Sequence, residues 1–200
     1  MTFTLSAIPV ELDLRNRPLD WRVEQDAALT ISAGEHTNLF IDPQGQYSED
    51  SAPRALFAPP EGDFLLSARV QVNFASMFDA GVLLLYEREG LWAKLCFEFS
   101  PQRQPMIVSV VTRGISDDCN SVVIDGNQVY LRVARVGGTF AFHFSTDGRF
   151  WHMARYFSLG ELDDLKVGFS SQSPRGEKCT TVFSEIDYRL ETLKDLRSGE

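Results

Sequence analysis

Two hundred residues with 44% hydrophobic and 24% charged positions are ordinary globular usage, which excludes disordered and fibrous chains. Nineteen Lys and Arg against 28 Asp and Glu leave a formal net charge of −9, so nucleic acid is repelled at long range. A chain this long buries roughly 70% of its unfolded surface, enough to expect one domain over 1–200 without a disulfide or metal staple.

The opening Met1-Thr2-Phe3-Thr4-Leu5 carries no basic segment, and Glu11 and Asp13 interrupt the first apolar stretch. No run approaches ~20 apolar residues, so neither a secretory signal nor a membrane contact is expected and the cytoplasm is the default. Residues 34–58 mix Thr, Asn, Asp, Pro, Gln and Ser around an isolated Leu39-Phe40-Ile41, and read as a long connection that touches the core once or twice. The turn formers Pro59-Pro60-Glu61-Gly62-Asp63 then lead into period-2 alternation, which predicts a strand over 64–72. Further strands are predicted over 80–86, 92–99, 106–113, 129–136, 139–145, 151–157, 166–171 and 182–188. Asp125-Gly126-Asn127, Gly137-Gly138, Asp147-Gly148 and Ser173-Pro174-Arg175-Gly176 supply turn chemistry between them. Nine or more short strands with tight turns define an all-β antiparallel sandwich or barrel, and 15 Phe against 5 Tyr and 3 Trp suit a thick sandwich core. Leu190, Leu193 and Leu196 stand at near-helical spacing, so 190–200 is expected to form a short helical turn or to fray.

Alternation also assigns faces. Along 92–99, Ala93, Leu95, Phe97 and Phe99 make an apolar core face, which sends Trp92, Lys94, Cys96 and Glu98 outward. The same reasoning turns Tyr130 and Arg132 away from Val129, Leu131 and Val133, and His143 away from Phe140, Phe142 and Phe144. Gln172 likewise opposes Val167 and Phe169, whereas Arg155 has apolar neighbours on both sides.

Several stretches together carry a family likeness: Asp79-Ala80-Gly81-Val82-Leu83-Leu84, Leu91-Trp92-Ala93-Lys94-Leu95-Cys96-Phe97-Glu98, Val108 to Gly114, Ser116-Asp117 and Ser145-Thr146-Asp147-Gly148. Over roughly residues 10–190 the chain resembles an uncharacterised family that includes a yeast regulation-of-enolase protein. That resemblance implies a two-sheet, concanavalin A-like jelly roll of the lectin and glucanase type. Family members usually show Ser-Asp-Trp where this chain has Ser116-Asp117-Asp118, so a Trp platform at that point is lost or relocated. The fold hosts lectins, hydrolases, lyases and interaction domains alike, and the site has to choose among them.

The outward set Trp92, Lys94, Glu98, Tyr130, Arg132, His143 and Gln172, with Arg155, would line one groove if their strands share a sheet. Asp117 and Asn120 would close one end of it. Aromatic rings stack on sugar faces while charged and amide groups fix hydroxyl or carboxylate groups; a solvated sheet face with cross-strand ion pairs is the plain alternative. Three cations against one carboxylate point to a small polar, anionic ligand. The expectation is therefore non-catalytic binding of a carbohydrate or related small polar ligand, with an interaction module that regulates a metabolic enzyme as the second reading. A glycosidase or lyase comes third; it would use Glu98 with Asp117 as the carboxyl pair. Glu185-Ile186-Asp187-Tyr188-Arg189 is similar to the Glu-x-Asp-x-Glu strand of the glucanase branch, but Arg189 occupies the acid/base position. His36, His143 and His152 occur singly, Cys96, Cys119 and Cys179 show no metal spacing, and Asp117-Asp118-Cys119-Asn120 reads as a capped turn, so no metal or cofactor is expected.

Overall fold

A computed structural model describes residues 1–24 and 28–200. The first part of the chain forms β1 (Thr2–Phe3), β2 (Leu12–Arg15), β3 (Asp20–Glu24), β4 (Ala28–Gly34), β5 (Leu39–Ile41), β6 (Ser48–Asp50) and β7 (Arg54–Phe57). Longer strands follow: β8 (Phe64–Asn73), β9 (Ala80–Arg88), β10 (Leu91–Phe99), β11 (Pro105–Arg113) and β12 (Ile115–Val123). The remainder are β13 (Gln128–Val136), β14 (Thr139–Ser145), β15 (His152–Phe157), β16 (Lys166–Gln172) and β17 (Lys178–Arg189).

Two large antiparallel sheets make a sandwich. One runs β1-β2-β7-β16-β9-β10-β11-β12 and the other β15-β14-β13-β8-β17-β4-β3, while β5 and β6 form a separate hairpin. The alternating apolar sets meet between them: Leu83, Leu85, Ala93, Leu95 and Phe97 from the first sheet against Val70, Leu131, Val133, Phe140 and Phe142 from the second. At Gly168 on β16 a Cβ would sit 2.0 Å from the Ala55 carbonyl oxygen, so only glycine lets β7 and β16 close up.

Residues 34–58 do more than connect. Leu39 and Ala52, with Phe40 and Ile41 beside them, cover a second apolar cluster on the outer face of the first sheet, built from Val82, Leu84, Trp92, Cys96, Val108 and Val110. The Asp117-Asp118-Cys119-Asn120 stretch is not a turn but the middle of β12, paired residue for residue with Val111, Val110, Ser109 and Val108. Residues 190–200 contain no helix. They lie as an irregular segment on the second sheet, with Leu193 buried against Leu65, Ala134 and Ala141.

Candidate functional site

The outer face of the first sheet carries a cleft of about 510 Å³. Lys94 and Glu98 of β10, Gln172 of β16 and Asp118 of β12 face it from the sheet. The ladder explains the grouping. Gln172 pairs with Ala80 and Ala80 with Glu98, while Lys94 pairs with Val110 and Val110 with Asp118, so all four project from one face. Phe40, Tyr47 and Glu49 from the β5–β6 hairpin form a wall, and His36, Phe78 and Arg175 come from the flanking connections.

A buried network fixes those connections. Asp79, fully inaccessible, accepts the backbone N–H groups of Ala75 and Ser76 at 3.0 and 2.8 Å and the Ser173 hydroxyl at 2.8 Å. The Ser173 N–H in turn donates to Thr37 Oγ1 at 3.0 Å. Three chain segments are thereby tied together behind the cleft. Phe78 and His36 both adopt left-handed backbone conformations, with φ of 70° and 55°, which non-glycine residues hold only where surrounding contacts force them. For Phe78 those contacts are its N–H to Phe99 O at 2.7 Å and its carbonyl, which accepts Gln172 Nε2 at 3.3 Å.

Lys94 is buried and donates one hydrogen bond, to Gln172 Oε1 at 3.0 Å. Its ammonium lies 6.0 Å from the Phe40 ring centre and 5.8 Å from that of Trp92. An ammonium has three donors, so two remain for a ligand. Glu98 is half-buried, and among the described residues its carboxyl has no hydrogen-bond or ion-pair partner. Desolvation pushes it up to about 8 against the opposing pull of Lys94, which favours the protonated carboxyl, able both to donate and to accept, at neutral pH. Burial also raises the Asp118 carboxyl, again with Lys94 opposing. Phe40 and Tyr47 stack at 5.9 Å with planes 29° apart, and Tyr47 is 49% exposed, giving the cleft a ring surface.

The residues expected to share one groove divide. Lys94, Glu98 and Gln172 meet in the cleft, but Trp92 does not reach it: at 1% exposure it belongs to the apolar cluster beneath the hairpin. Tyr130 and Arg132 on β13 and His143 on β14 do point away from the core, yet from the other sheet. Tyr130 donates to Glu185 at 2.8 Å, and Arg132 and His143 lie under residues 190–200. Arg155 on β15 bridges the two sheets at their edge, holding the Asp117 carboxylate at 3.0 Å. Asp117 is thus turned to the opposite face of β12 from Asp118, and the carboxyl pair of Glu98 with Asp117 is not assembled. Asn120, exposed on β12, is outside the cleft lining. Glu185 and Asp187 sit on the second sheet, engaged by Arg69 and Arg189. Asp118, Tyr47 and Arg175 were missed. The departure from Ser-Asp-Trp at Asp118 was the available signal for the first, while Tyr47 and Arg175 lie in segments with no period to place them.

Cys96 is buried beside this face, where desolvation raises its thiol far above the ordinary range, so it supplies no thiolate. Among the described residues no group of three or more His, Cys, Asp or Glu side chains is placed to hold a metal ion.

Fold and cleft together define a two-sheet antiparallel β-sandwich with a walled polar depression on one outer face. The chain belongs to the family described as Protein of unknown function (DUF1349), which matches residues 14–190. It is 26% identical over 164 residues to Regulation of enolase protein 1 of Saccharomyces cerevisiae, covering 81% of each chain. A solved structure of a functionally unknown protein from the same yeast superimposes with a TM-score of 0.80 at 24% identity, over 91% of this chain and 97% of that one. The GH43 BlXynB protein of Bacillus licheniformis shares the fold at a TM-score of 0.72 and 14% identity, the match covering 88% of this chain and 36% of that one.

Proposed function

We propose that the cleft binds a small polar ligand of the carbohydrate class, acidic sugars and sugar phosphates included, without transforming it. One observation carries this reading: a buried ammonium with two free donors stands beside a half-buried, unpartnered carboxyl at the floor of a walled depression. A neutral Glu98 exchanges hydrogen bonds with hydroxyls in both directions, Lys94 and Gln172 fix further oxygens, and the Phe40–Tyr47 pair supplies the apolar surface that sugar rings stack on. Tyr47 with Phe40, rather than Trp92 or Tyr130, is the ring surface available to a ligand in the cleft. In a thermal-shift panel of sugars and sugar phosphates, a bound compound at a hundredfold excess over its Kd raises the Tm by about 5–10 °C. Tyr47→Ala and Lys94→Met abolish that shift. A panel without any shift, or a shift unchanged in both variants, contradicts the proposal.

A second reading, an interaction module that regulates a metabolic enzyme, draws on the name of the yeast relative and on β12. This edge strand is exposed along most of its length and presents Ile115, Val122 and Val123. Enolase activity assayed with and without the protein tests it: a changed rate that Val122→Lys abolishes supports this reading, and an unchanged rate removes it.

A further inference from the structure

The geometry points to a second ligand site on the outer face of the other sheet, an oxyanion site that the chain's own residues 193–199 occupy as a strap. Arg132 and His143 are direct cross-strand partners on β13 and β14, and they are 3% and 0% exposed. The Arg132 guanidinium lies 4.1 Å from the Trp151 ring centre and donates from Nη2 to the Gly199 carbonyl at 2.8 Å; its Nε, although buried, has no partner. His143 Nε2 lies 2.7 Å from the Leu196 carbonyl, and its Nδ1 is buried without a partner.

Among the described residues no carboxylate lies within ion-pair distance of Arg132. Asp187 and Glu191, further along the same chain, are both held by Arg189, at 2.8 and 2.7 Å. A buried cation normally has an anion beside it, because a neutral carbonyl offsets only part of its desolvation. The Nε and Nη2 edge of a guanidinium is a two-pronged donor that matches the two oxygens of a carboxylate or phosphate. Gly199 uses one prong. The Leu196 carbonyl accepts, so His143 Nε2 is the third donor aimed at the same place. The strap imitates an anion incompletely.

The strap is also built to leave. Residues 190–200 pair with no strand, and Lys194, Asp195, Arg197, Ser198 and Glu200 are exposed. Its hold on the sheet comes from Leu193, Leu196 and Gly199, with Thr192 on Asp63. Gly199 has a φ of +77°, and a Cβ there would lie 2.9 Å from Trp151 Cβ and 2.3 Å from Arg132 Nη2, so any other residue strains the seat.

Two measurements on the full chain test this. Amide hydrogen exchange is followed in the wild type with inorganic phosphate and, separately, acetate: faster exchange over 192–199 with either anion supports the site and names its chemistry, and no change with both overturns it. Calorimetric titration of Gly199→Val with phosphate is expected to show at least tenfold tighter binding than wild type, and the added Arg132→Gln change removes the gain. Equal affinity in Gly199→Val and wild type overturns the proposal. Phosphate bound in the Lys94 cleft instead slows exchange around 36–49 and leaves 192–199 unaltered, which separates this outcome from the fate of the first site.

Discussion

Replacing Glu98 by Gln isolates the cost of keeping a carboxyl in the cleft floor. Burial lifts this group from 4.5 in the unfolded chain to about 8 in the folded one. Between those values the folded protein retains a proton that the unfolded chain has released. The contribution of Glu98 to stability therefore falls as pH rises from about 4.5 to about 8 and stays at the lower level above it. One unit corresponds to about 1.36 kcal/mol, so the whole rise sets a ceiling of ~5 kcal/mol, part of which solvent in the cleft screens. Glutamine keeps the shape and carries no titrating proton. Urea unfolding followed by tryptophan fluorescence at pH 6, 7, 8 and 9 should show Glu98→Gln gaining on the wild type by about 2 kcal/mol across that range. Parallel curves, or a gap that narrows with pH, refute the reasoning, because they mean that Glu98 is ionised and solvated in the folded state.

Other consequences are as definite. Desolvation holds the His143 imidazole down to about 4, so its NMR resonances should stay still above pH 5 while its own contribution to stability is lost as pH falls from 6.5 towards 4; a midpoint near 6.5 contradicts its burial. Trp92→Ala should lower stability by about 3–5 kcal/mol, as expected for an emptied core site, whereas Tyr47→Ala should stay within about 0.5 kcal/mol in urea titration; the reverse order places the ring platform wrongly. Gly168→Ala should lose about 3 kcal/mol or more in the same titration, because its methyl group meets the β7 backbone, while Gly138→Ala, with open space around it, should change little.

Most strands from 64 onward were legible because they alternate, and alternation reports which side chains face the core, although in β9 and β10 the opposite face is covered as well. Faces were legible for the same reason: Lys94 and Glu98 do oppose Leu95 and Phe97, and Arg132 and His143 do oppose Leu131 and Phe142. Which sheet a strand joins was not legible. Period 2 says only that a side chain points away from its apolar neighbours, and Lys94 and Arg132 satisfy that condition on opposite outer faces of the molecule. The strand β12 escaped because an exposed edge needs no apolar face, so Asp117-Asp118-Cys119-Asn120 carries turn-forming residues in an extended chain. In β17 the register shifts between Ser184 and Asp187, and Glu185 takes a left-handed φ of 49°. Phe183 therefore reaches the core although Ile186 and Tyr188 also pack against it, which no strict alternation allows. Residues 34–58 lacked any period, yet they determine the site: without their cover the face around Trp92 would be the open groove that alternation implies, and with it the groove shrinks to the depression at Lys94 and Glu98.

The most direct measurement is amide chemical-shift mapping of the labelled protein with a compound from the sugar and sugar-phosphate panel that raises its Tm. Binding in the cleft predicts shifts clustered at Lys94 to Glu98, around Gln172 and along 36–49; a neutral sugar, which an oxyanion site does not take, leaves β13 and β14 silent. Shifts confined to β13, β14 and residues 193–199, or spread over the β12 edge, would contradict a ligand site at Glu98.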